Sequence, residues 1–135
     1  MITSQQEEIT LISDPANVAR IESFVEQIAA KYKIRPNLYG NILISLTEAV
    51  TNAITHGNCN DSTKIVAVRL EYRPKGFSFT VSDQGEGFDF ENLPDPTSPE
   101  NLLKLGGRGV FLMRQLADEI RYLDEGRSVE MLFRA

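Results

Sequence analysis

One cysteine, one histidine and no long apolar run set the first limits on this 135-residue chain. Cys59 has no partner for a disulfide within the chain, which fits a reducing cytoplasm. With His56 as the lone histidine, a zinc site of the His/Cys kind lacks ligands. A Ser-His-Asp hydrolase would need that same histidine, which sits in a helical pattern with no nucleophile elbow nearby. No apolar stretch approaches the roughly 20 residues that cross a bilayer. The opening MITSQQEEIT has no basic segment followed by an apolar one, so no export signal is expected. G-x-x-x-x-G-K-[ST] is missing, which excludes a P-loop. Basic residues are also short: 14 against 19 acidic, a net charge of −5 that argues against a nucleic-acid binder. A chain this acidic could hold a polyphosphate only by local devices such as backbone amides, a metal and a few cations.

What is present describes a globular fold. A 41% hydrophobic and 24% charged composition is that of a soluble domain, and the length predicts a single one over residues 1–135. EITLISD (8–14) alternates like a short strand and ends at Asp14-Pro15, a helix start. Val18, Ile21, Phe24, Val25, Ile28, Ala29 and Tyr32 then recur at steps of three and four, predicting a helix of about five turns. A second helix is predicted from about Leu38 to His56, stopped by Gly57. Its apolar stripe is Ile42, Leu46, Ala49, Val50 and Ala53; its polar stripe is Asn41, Ser45, Glu48, Asn52 and Thr55. TKIVAVRLEYR (63–73) and GFSFTVSD (76–83) alternate as strands around a Pro74-Lys75-Gly76 hairpin. Residues 84–106 lose all periodicity, as a binding loop or lid would. GGRGVFLMRQLADE then reads as a glycine-opened helix, and two strands follow around Asp124-Glu125-Gly126. The order β-α-α-β-β-loop-α-β-β predicts an α+β, two-layer sandwich: a mostly antiparallel sheet with three helices on one face.

Three stretches carry candidate chemistry. Glu48 and Asn52, four apart, project the same way from one helix. A carboxylate there can take a proton, and an amide oxygen can ligate a hard cation such as magnesium. Asp83 ends a strand where Gly85 and Gly87 let backbone approach a ligand. An aspartate so placed can accept from an exocyclic amine, the group that separates adenine from guanine. Gly106, Gly107 and Gly109 open a helix whose N-terminus favours anions, with Lys104 and Arg108 adding positive charge. Each stretch alone also reads as plain structure: a solvated helix face, an acidic turn, a flexible helix entry. GRGVFL shares two glycines with the dinucleotide fingerprint but follows a loop rather than a strand. His56 fits a packing or helix-end role better than that of a phospho-acceptor.

Taken in order, Glu-x-x-x-Asn, Asp-x-Gly-x-Gly and a Gly-x-Gly helix start resemble the ATP-binding superfamily of gyrase, heat-shock chaperones, histidine kinases and mismatch-repair ATPases. The resemblance covers about 90 residues, from the second helix to the last strand. EAVTNAITHGN, DQGEGFD and GGRGVFLMRQLADE resemble most closely the bacterial anti-sigma-factor serine kinases. The resemblance implies the histidine-kinase-like ATPase fold, with ATP and Mg2+ as cofactors. Glu48 would be the general base, Asn52 the magnesium ligand and Asp83 the partner of the adenine amino group. Gly85 and Gly87 would shape the pocket wall, while Gly106, Gly107 and Gly109 would hinge the lid and offer amides to the phosphates, beside the positive charge of Lys104 and Arg108. The family often carries Thr-Thr after a late glycine; this chain has Gly126-Arg127-Ser128, which leaves Ser128 as the hydroxyl that would help bind the base. The implied activity is phosphorylation of a serine on an anti-sigma-factor antagonist, coupled to sequestration of a sigma factor, in the cytoplasm. A homodimer is implied too, with Phe24, Val25 and Ile28 as one contact surface if they are not core. Two other readings fit the motifs: a nucleotide-regulated binding module, and the detached ATP-binding half of a two-component system.

Overall fold

The computed structural model describes residues 5–86 and 115–134. Strand β1 (Gln5–Ile12) leads into a 3-10 turn (Pro15–Val18), where the Asp14 carboxylate accepts the Ala16 N–H at 3.0 Å. That turn replaces the first part of the expected five-turn helix: the α-helical part, α1, is Ala19–Tyr32. Lys33, in the left-handed region at φ 54°, closes it by donating its N–H to the Ala29 carbonyl. Helix α2 (Pro36–Asn52) starts on proline, whose missing N–H costs nothing in a first turn.

Strands β2 (Ile65–Arg73) and β3 (Gly76–Ser82) form the expected hairpin, and β4 (Glu119–Leu123) and β5 (Ser128–Arg134) the second one. All pair antiparallel in the order β1-β2-β3-β5-β4, which is the anticipated sheet. Two α-helices fall within the described residues; the predicted third begins outside them, and its last residues Gln115 and Leu116 are helical.

Alternation along the strands divides the sheet into two faces. Val66, Val68, Leu70, Phe77, Phe79, Val81, Met131 and Phe133 turn toward the helices and are buried. Against them pack Ile21, Val25 and Ile28 of α1 and Ile42, Leu46 and Val50 of α2, in one continuous core. Phe24, Val25 and Ile28 belong to that core, so the contact surface expected of them is not on the outside of the molecule. The stripe on α2 needs a similar correction at Ser45. It is fully buried with an unpartnered hydroxyl, because it lies one turn before Ala49 on the core side of the stripe.

Candidate functional site

Helix α2 does not simply stop at Gly57. After Asn52 it widens into a π-helical turn, Ala53–Gly57, entered where the Ala53 N–H is shared between the Ala49 and Val50 carbonyls. The Thr55 hydroxyl donates to the Thr51 carbonyl at 2.7 Å, covering an acceptor beside this transition. Single π turns of this kind often sit at functional sites because they displace the residues flanking them. Glu48 and Asn52 lie on the α-helical part, one turn apart and half-buried, and Asn52 caps no backbone group. His56 is exposed in the last turn, in keeping with a helix-end role rather than a packing one.

The π turn runs against the end of β3. A Cβ on Gly57 would lie 2.5 Å from the Asp83 carboxyl carbon, and one on Gly85 would lie 2.6 Å from the Gly57 carbonyl carbon. Gly85 therefore needs glycine for space, since its neighbour is backbone, whereas the neighbour of Gly57 is the Asp83 side chain. The contact joins two of the three stretches: the helix carrying Glu48 and Asn52, and the strand end carrying Asp83. Asp83 accepts the Gly85 N–H on Oδ1 at 2.8 Å and gives its own N–H to the Arg127 carbonyl at 2.8 Å. Burial pushes its carboxyl above the usual aspartate range; the Gly85 N–H and the charges of Arg127 and Lys64 oppose that rise without cancelling it. A half-buried carboxylate raised in this way, at a glycine-lined corner, is suited to a directional hydrogen bond with a ligand amine.

Asn58 is the residue the sequence reading passed over. It is buried, and its amide bonds Ser13 Oγ at 2.8 Å, the Ile65 carbonyl at 2.9 Å and the Gln84 N–H at 2.7 Å. It thus ties the ends of β1, β2 and β3 to the π turn. An asparagine after a helix-ending glycine looks like any turn residue, so the only available signal was its place beside Gly57.

Ser128 is not brought to this corner. It pairs with Ser82, hydroxyl to hydroxyl at 2.8 Å, and alternation puts both on the sheet face away from the helices. The preceding residue, Arg127, is the one that meets the stretch after β3. Its Nε donates to the Gly85 carbonyl at 2.8 Å and its Nη2 to the Glu86 carbonyl at 3.2 Å. Gly87, Lys104, Gly106, Gly107, Arg108 and Gly109 lie outside the described residues. Among the described residues, no cluster of three His, Cys, Asp or Glu could hold a metal by itself, and no helix is long and apolar enough to cross a membrane.

With the fold and this polar corner described, comparison with known proteins gives the family. Residues 11–133 match the histidine kinase-like ATPase domain, and the chain belongs to that family. It is similar to the serine-protein kinase RsbW of Bacillus licheniformis, 34% identical over 124 residues, which cover 87% of this chain and 78% of the relative. Against the serine-protein kinase RsbW of Staphylococcus aureus (strain JH9) it is 33% identical over 96 residues, or 65% of this chain and 60% of the relative. The chain thus stands with the serine-protein kinases of this ATPase family.

Proposed function

We propose that this chain is an ATP-dependent protein-serine kinase, a single domain over residues 1–135, that phosphorylates an anti-sigma-factor antagonist and sequesters a sigma factor. The observation that carries the reading is the close packing of Gly57 on Asp83 and Gly85, which gathers the helix and strand motifs into one corner. The similarity to RsbW of Bacillus licheniformis, a serine-protein kinase by name, supports the choice of serine as acceptor.

The residues fit ATP and magnesium: a half-buried carboxylate at a strand end, and an amide on α2 that caps no backbone group. When bound, Mg-ATP supplies a transferable γ-phosphoryl group with part of its charge neutralised. Asn52 would hold the cation and Asp83 the adenine amino group, while Gly85 leaves room for the base. Glu48 accepts the proton of the incoming serine hydroxyl as that oxygen bonds to phosphorus, and ADP departs. Acting on transcription regulators, the protein would work in the cytoplasm.

Glu48→Ala is expected to leave Mg-ATP affinity within about twofold while lowering phosphotransfer by about 10²-fold or more, the range of general-base catalysis. Titration calorimetry and a phosphoserine assay on the captured antagonist measure the two effects. A pull-down from native extract with Mg-ATP and Mg-ADP in parallel supplies that antagonist. Recovery of neither a sigma factor nor an ATP-dependent phosphoserine would refute the proposal.

A further inference from the structure

Between β4 and β5 the chain makes an unusual turn. Asp124, Glu125 and Gly126 have φ of 51°, 56° and 88°, three successive left-handed residues of which only the last is glycine. That conformation is disfavoured for the first two, so something around them must hold it. Arg127 does. Its N–H donates to the Asp124 carbonyl at 3.0 Å, and Nη1 reaches the same carbonyl at 3.3 Å and the Glu125 carboxylate at 3.1 Å.

The rest of the guanidinium faces the other way. Nε and Nη2 fork onto two successive carbonyls, Gly85 at 2.8 Å and Glu86 at 3.2 Å, while the Arg127 carbonyl accepts the Asp83 N–H at 2.8 Å. One residue therefore holds the stretch 83–86 at three points. The side chain is 29% exposed, and its bond to the Gly85 carbonyl is the part-buried one.

We infer that Arg127 is a positioning residue for base recognition: its fork fixes the Gly85 and Glu86 carbonyls and so aims the Asp83 carboxylate at the purine amino group. This rests on the ATP reading above. A planar guanidinium matches two adjacent carbonyls, whereas a lysine ammonium keeps the charge without the fork. Arg127 and Lys64 also favour the ionised form of Asp83, against burial and the nearby Asp124 charge.

The test is titration calorimetry of the full chain, as wild type, Arg127→Ala and Arg127→Lys. The ligands are the magnesium complexes of ATP and of purine riboside triphosphate, which lacks the 6-amino group. Wild type is expected to prefer ATP by about tenfold or more, the scale of a hydrogen bond to a charged group. In Arg127→Ala that preference should fall to about twofold, while affinity for the purine riboside nucleotide changes by less than about threefold, since only the amine contact is misaimed. Arg127→Lys should also lose most of the preference, and it carries the test if the alanine variant fails to fold. Wild-type preference in either folded variant would overturn the inference. A wild type that binds both nucleotides equally would instead overturn the role of Asp83, and a wild type that binds neither would overturn the ATP reading.

Discussion

Asp83 shows how one burial effect acts on binding and on stability with opposite signs. Its carboxyl titrates above the usual aspartate range because it is partly desolvated. The ionised carboxylate is the stronger acceptor for an amine, so ATP affinity should fall with decreasing pH, starting at a higher pH than for a solvated aspartate. For folding, a raised native value means that stability is greatest below the unfolded-state value and is lost as pH rises through the native one. Asp83→Asn removes the desolvated charge and keeps Oδ1 as an acceptor for the Gly85 N–H. The variant should bind ATP at least tenfold more weakly, the loss of about one charge-assisted hydrogen bond, while melting at the same or a higher temperature at neutral pH. Calorimetric titration and thermal unfolding at several pH values check both halves. Asp83 was legible in the sequence because strand ends and glycine turns leave a local pattern. Asn58 and Arg127 were not: their roles rest on carbonyls and amides far away in sequence, which no spacing rule encodes.

At the scale of elements, periodicity did most of the work. Strands β2 and β3 and the stripe Ile42, Leu46, Ala49, Val50 and Ala53 came straight from steps of two and of three to four. The π turn could not be read this way, because one extra residue in a turn changes hydrogen bonding without changing composition. Gly57 reads in the sequence as the helix stop, and the helical run does end there; what periodicity could not show is its close approach to Asp83. The two glycines of that contact should respond differently to alanine. Gly57→Ala meets a side-chain carboxylate, which can turn aside; Gly85→Ala meets the Gly57 backbone, which cannot. Gly85→Ala should therefore be the costlier in urea unfolding, by about 1–3 kcal/mol as for an overpacked core, and Gly57→Ala the more selective for nucleotide binding. Equal losses of stability in both variants would show that the strand end yields as readily as the side chain.

Over the whole molecule, a five-stranded sheet carries its helices on one face and a polar surface on the other. The rows on that outer face run across every strand: Glu8 faces Arg69, Arg69 faces Thr80, Thr80 faces Glu130 and Glu130 faces Arg121. The Arg121–Glu130 pair, at 2.6 Å, is the tightest in the row, but such exposed pairs stabilise a fold only slightly. The inner face is where cohesion lies, since α1, α2 and four strands share one apolar core. Unfolding should therefore be a single transition. With four tyrosines and no tryptophan, tyrosine fluorescence and far-UV circular dichroism are the natural pair of probes, and their urea curves should coincide. Separate midpoints would mean that the edge hairpin β4–β5 melts independently of the rest.

The grip of Arg127 on residues 85 and 86 has a consequence for how this corner can be altered. It touches only carbonyl oxygens, which every amino acid carries alike. The identity of the side chain at Glu86 is therefore invisible to the clamp, and a designer could vary it without disturbing the frame. Backbone frame and side-chain identity are, at this one position, separable parts.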